Sequence, residues 1–80
     1  MTNEHDKIFN QAKEKLSHHQ DLHLRVALIS RREAGTISGN ILMDDGFRIG
    51  FIMLGDILTF TMSDEDIKKN YGIFQSRRHS

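Results

Sequence analysis

Cysteine, proline and tryptophan are absent from this 80-residue chain. Without cysteine there is no disulfide framework and no thiolate metal site, so stability has to come from packing, alone or together with an interface to another chain. The reducing cytoplasm is the expected compartment. Long apolar runs are missing too. Nothing approaches the roughly 20 apolar residues of a membrane span, and the polar start MTNEHDKIF lacks the apolar stretch of a secretory signal. A chain of this size is one small domain, near the limit at which a single core offsets chain entropy, and is too small for a large enzyme cleft.

Net charge is absent as well, but only by cancellation: 11 basic residues stand against 11 acidic ones. Residues 1–32 hold six basic and four acidic side chains, 33–66 hold Arg48 against seven acids, and 67–80 hold four basic and no acidic ones. A nucleic-acid domain usually shows a net positive charge or a dense basic stripe. Here only an edge (Arg25, Arg31, Arg32) and the tail (Lys68, Lys69, Arg77, Arg78) offer one.

What is present is periodicity. Residues 4–20 read as an amphipathic helix with Asn3 as N-cap, Glu4 and Asp6 in the first turn, and Ile8, Phe9, Ala12 and Leu16 on one face. From Leu22 the period becomes two, with Leu22, Leu24, Val26 and Leu28 alternating with His23, Arg25, Ala27 and Ile29. Ser30 to Gly35 is expected to turn the chain. A second strand spans 36–43, Asp44-Asp45-Gly46 turns again, and a third spans 47–54. A two-residue loop here would mix apolar and polar partners. A three-residue loop with Gly46 at positive φ pairs Met43 with Phe47, Ile41 with Ile49, Gly39 with Phe51 and Ile37 with Met53, so that register is expected, with Gly39 leaving room for the Phe51 ring. A fourth strand covers 56–62. Ser63 then caps a one- or two-turn helix that Lys68, Lys69 and Gly72 end, with Met62 stapled against Ile67.

The predicted fold is α+β: an N-terminal helix, a four-strand, strongly curved antiparallel meander or small barrel, and a short C-terminal helix. An open sheet with the helix laid across it is the alternative. Residues 1–74 form the domain and 75–80 a basic, disordered tail.

No motif for catalysis is found. There is no Gly-x-Ser-x-Gly elbow, no phosphate loop, and no His-Glu-x-x-His; the carboxylates are explained by turns and a helix start. His19 and His23 have the spacing of a helical metal pair, but Asp21-Leu22 reads as the helix-to-strand junction and no third ligand can be placed. The chain is accordingly expected to be no enzyme, with no catalytic residue, no metal ligand, no cofactor, no small-molecule ligand and no membrane partner. The informative feature is the second face of the sheet. There Ile29, Leu42, Ile52, Leu54 and Ile57 are expected to form an apolar patch larger than a small monomer leaves in water, which the helix cannot also cover. The expected function is an interaction or regulatory module that works through this face, as a homo-oligomer or bound to a larger protein. The competing expectation is a nucleic-acid-binding small barrel using Arg25, Arg31 and Arg32.

The run Leu24-x-Val26-x-Leu28, Gly35-x-Ile37-x-Gly39-x-Ile41-Leu42-x-Asp44 and Leu54-Gly55-Asp56 resembles the apolar, Gly and Asp pattern of Sm-like barrels, the group of the bacterial RNA chaperone Hfq. Residues 51–58, from Phe51-Ile52-Met53-Leu54 to Ile57-Leu58, are similar to the closing strand of YolD-like proteins, small relatives of the same barrel type. The Sm resemblance implies a ring and RNA binding.

Overall fold

The computed structural model describes residues 3–78, and its elements run α1 (Glu4–Lys15), β1 (Leu24–Glu33), β2 (Thr36–Met43), β3 (Arg48–Leu54), β4 (Ile57–Phe60) and α2 (Asp64–Arg78). The α1 start is the expected one: Asn3 is extended and its side chain accepts the Asp6 N–H at 3.0 Å. Its end comes five residues early, because the Ser17 hydroxyl bonds the Glu14 carbonyl at 2.8 Å and the chain continues as turns through residue 21.

The strands form one antiparallel sheet in the order β1-β2-β3-β4. The β2-β3 register is the one that pairs apolar residues: Ile41 faces Ile49, Gly39 faces Phe51 and Ile37 faces Met53, while the Met43 N–H bonds the Phe47 carbonyl at 2.8 Å and Gly46 takes φ +96°. The vacancy at Gly39 belongs to backbone rather than to the Phe51 ring, since a Cβ there would stand 1.9 Å from the Leu28 carbonyl oxygen.

Curvature departs from the expectation. The sheet is open, and the barrel implied by the Sm-like resemblance is not formed: β1 and β4 are its two edges. Bulges are what bend sheets toward closure, and the only register shifts in this one lie in the β1-β2 ladder. Two helices close the core instead. Ile8, Ala12 and Leu16 from α1 and Ile67 and Tyr71 from α2 are buried with Ile41, Met43, Ile49, Phe51, Met53 and Leu58 of the sheet, all on one face. At about 1.5–3 kcal/mol for each large apolar side chain fully buried, this layer is the main source of stability.

The bulges also correct the reading of β1. Between Leu24 and Val26 one extra residue, Arg25, breaks the alternation, so Ala27 pairs with buried Ile41 and Ile29 packs on the core while Val26 and Leu28 turn outward. The strand also runs to Glu33, leaving only Ala34-Gly35 as the turn.

The second helix is longer than expected. Gly72 lies within it, and Gln75 to Arg78 are helical rather than a disordered tail; residues 79–80 of that expected tail lie outside the described residues. Mid-helix glycine costs about 1 kcal/mol. Against this stand the burial of Tyr71, the packing of Phe74 on Phe47 (ring centroids 5.3 Å apart), and Arg78, 5.9 Å from the Phe74 ring centroid and 3.8 Å from Asp45. Ser63 caps the start as expected, accepting the Asp66 N–H at 3.2 Å.

Candidate interaction face and a histidine-aspartate cleft

Both helices lie on one side of the sheet, so its other side is bare. Along the strands this bare face carries Val26, Leu28 and Arg31 on β1, Thr36, Ser38, Asn40 and Leu42 on β2, Arg48, Gly50, Ile52 and Leu54 on β3, and Ile57 and Thr59 on β4. Leu54 and Ile57, cross-strand partners, are 59% and 69% exposed; Val26, Leu28 and Ile52 are each a little over one-third exposed. Four of the five expected patch residues, Leu42, Ile52, Leu54 and Ile57, belong to this face. Ile29 does not: the bulge turns it to the helix side, and Val26 and Leu28 take its place.

The apolar residues are not one block. Val26, Leu28 and Leu42 occupy the corner beside the β2-β3 turn, and Ile52, Leu54 and Ile57 the corner diagonally opposite, where the β1-β2 and β3-β4 turns meet through a Gly55 N–H to Gly35 carbonyl bond of 3.1 Å. Ser38, Asn40, Gly50 and Thr59 lie between. Arg48 stands at the third corner, and Arg31, paired with Glu33 at 2.8 Å, at the fourth.

The start of the β4 edge is occupied by a side chain of α1. The Gln11 side-chain amide donates to the Asp56 carbonyl at 2.7 Å and accepts the Leu58 N–H at 3.1 Å, as a neighbouring strand would, and Lys7 of the same helix pairs with the Asp56 carboxylate. The β1 edge is interrupted by its bulges.

The three arginines proposed for an anionic partner are not assembled. Arg31 opposes Ser38 on the bare face and pairs with Glu33; Arg32 opposes Ile37 on the helix side and pairs with Glu4 of α1; Arg25 is exposed at the bulge.

A cleft between the α1-β1 turn and α2 is lined by His18, His19, Lys68, Tyr71 and Gln75, among others. Asp64, at the α2 start, meets the two imidazoles: its Oδ2 is 3.1 Å from His18 Nε2 and its Oδ1 3.5 Å from His19 Nε2. The sequence pairing of His19 with His23 missed this, because the partner carboxylate lies 46 residues from His18 and was accounted for by the helix start. Below the cleft the Tyr71 hydroxyl donates its one proton to Asp45 at 2.6 Å, with the Asp21 carbonyl oxygen a weaker, bifurcated contact at 3.2 Å. Asp45 in turn accepts the Phe47 N–H. Its bond to the carboxylate, with burial, pushes Tyr71 up to about 12. For Asp45 burial acts upward, but the Tyr71 hydroxyl, the Phe47 N–H and Arg78 together outweigh it and hold the carboxyl below its ordinary value.

Among the described residues no helix is long and apolar enough to cross a membrane. No family model matches the chain, and no curated protein or solved structure matches it.

Proposed function

We propose that this chain is a non-enzymatic interaction module whose bare sheet face binds a second copy of itself. The observation that carries the reading is the placement of the apolar residues at diagonally opposite corners of an otherwise small and polar face. A two-fold axis along that diagonal lays each apolar corner on its own counterpart in the second copy, as a self-complementary interface requires. It also sets Arg48 of each copy over the Arg31-Glu33 corner of the other, where Glu33 supplies the opposite charge. Strands of the two sheets then cross steeply, in the manner of orthogonal sheet packing. Edge-to-edge growth is the other route by which a sheet associates, and Gln11 obstructs it at β4.

Size-exclusion chromatography with light scattering at micromolar concentration tests this. A dimer is expected for the native chain and a folded monomer for the double substitution I52K/L54K, while Ile73→Lys, on an exposed part of α2, leaves the dimer intact. A native monomer, or a dimer that survives I52K/L54K, overturns the reading. Salt-sensitive binding to RNA that weakens in R31A/R32A would put a nucleic-acid module in its place.

A further inference from the structure

We propose that His18, His19 and Asp64 form a binding site for one divalent transition-metal ion of the Zn²⁺ class, which fastens the start of α2 to the turn after α1. One donor atom from each of the three residues lies within 4.8 Å of the other two. In a tetrahedral Zn²⁺ site with bonds of about 2.0–2.1 Å, donors stand about 3.3 Å apart. Each Asp64 oxygen stands near that spacing from one imidazole nitrogen, Oδ2 at 3.1 Å from His18 Nε2 and Oδ1 at 3.5 Å from His19 Nε2, so small side-chain rotations bring one donor from each residue onto a shared ion.

An independent observation is the state of His19. Its Nε2 is buried and makes no hydrogen bond, with the nearest carboxylate oxygen, Asp64 Oδ1, 3.5 Å away. A buried ring nitrogen without a partner is costly, and coordination by a cation satisfies it. The local backbone makes the convergence possible. The histidines follow the α1 C-cap at Leu16 and lie in successive turns, held by the His19 N–H to Leu16 carbonyl bond of 3.0 Å, so adjacent rings sit side by side with centroids 4.2 Å apart rather than fanning out around a helix.

Electrostatics are mixed but favourable on balance. The carbonyl end of α1 attracts a cation, the N–H end of α2 does not, and the Asp64 carboxylate at that end supplies a negative charge. Lys68 lines the same cleft and opposes binding. Two imidazoles and one carboxylate select Zn²⁺, Co²⁺, Ni²⁺ or Cu²⁺ over Mg²⁺ and Ca²⁺, which need more oxygen ligands. Three protein donors leave one position for water.

The experiment is titration of the untagged full chain with ZnCl₂ at about pH 7.5, where imidazole competes well with protons, read by calorimetry and by thermal unfolding. One Zn²⁺ per chain and a raised unfolding temperature are expected, with no comparable effect of Mg²⁺. Loss of His18 (H18A) or of the carboxylate charge (D64N) is expected to weaken binding by about tenfold or more, whereas H23A leaves it unchanged. His18 and Asp64 are exposed, so these two variants keep the fold, which far-ultraviolet circular dichroism checks. Absence of saturable binding below about 1 mM Zn²⁺, or binding that H18A and D64N leave intact, overturns the proposal.

Discussion

Tyr71→Phe removes one oxygen and nothing else from the aromatic layer, and so isolates the bond that ties three separate segments together. The hydroxyl reaches the Asp45 carboxylate of the β2-β3 turn at 2.6 Å and the Asp21 carbonyl before β1 at 3.2 Å, from the middle of α2. A hydrogen bond to a charged group contributes about 1.5–3 kcal/mol. Asp45 keeps the Phe47 N–H and Arg78, so the lower part of that range, about 1.5–2 kcal/mol, is expected at pH 7. In a chain of this length that corresponds to roughly 6–16 °C in melting temperature. Urea unfolding of the native chain, Y71F, D45A and the double variant supplies the coupling, expected at about 1–2 kcal/mol. A loss below about 0.5 kcal/mol in Y71F, or a coupling near zero, would refute the reasoning. The pH dependence adds a second check. Tyr71 is raised from 10 to about 12 on folding, so its contribution is full below pH 10 and disappears as pH rises through 12. Asp45 is lowered, so its contribution is present above its ordinary value of 3.8 and disappears as pH falls through the lower folded value. In Y71F the alkaline loss should flatten.

Gly39→Ala places a methyl 1.9 Å from the Leu28 carbonyl, a backbone atom that cannot step aside, and should cost about 3 kcal/mol or more in urea unfolding; a cost under about 1 would mean that the bulge yields. Gln11→Ala strips both bonds from the β4 edge, with an expected loss of about 1–2 kcal/mol and new concentration-dependent association by light scattering that I52K/L54K does not suppress. Ser63→Ala removes the α2 cap and should cost about 1 kcal/mol, seen as earlier loss of helical signal on heating.

The parts of the fold legible from sequence are those in which one arrangement satisfies every residue. The β2-β3 hairpin is such a case, since only the three-residue loop pairs apolar with apolar from Ile37 to Phe47. Helix starts are equally local, and Asn3 and Ser63 announce theirs. Sheet curvature is not local, and the chain closes its core with two helices on an open sheet, where the pattern predicts a strongly curved meander or small barrel. The extent of α2 was hidden behind Gly72, whose cost is offset by Tyr71, Phe74 and Arg78, contacts with distant residues. In β1 the bulges fall at Arg25 and near Ser30, with no glycine or proline to mark them. This is why simple alternation puts Ile29 on the bare face and Val26 and Leu28 in the core, the reverse of where the bulge sends them. The His18-His19-Asp64 convergence likewise depends on where two elements end in space.

The Arg25 bulge gives β1 an unusual status among the strands. In a regular strand the face a side chain occupies follows from whether its position is odd or even, and β2, β3 and β4 obey that parity throughout. One supernumerary residue in β1 resets it, so Leu24 and Ala27 serve the inner layer while Val26 and Leu28 serve the outer. Deleting Arg25 alone would restore strict alternation from Leu24 to Ile29, with Leu24, Ala27 and Ile29 still inward and Val26 and Leu28 still outward, so the bare face would keep its residues while the strand lost its bulge.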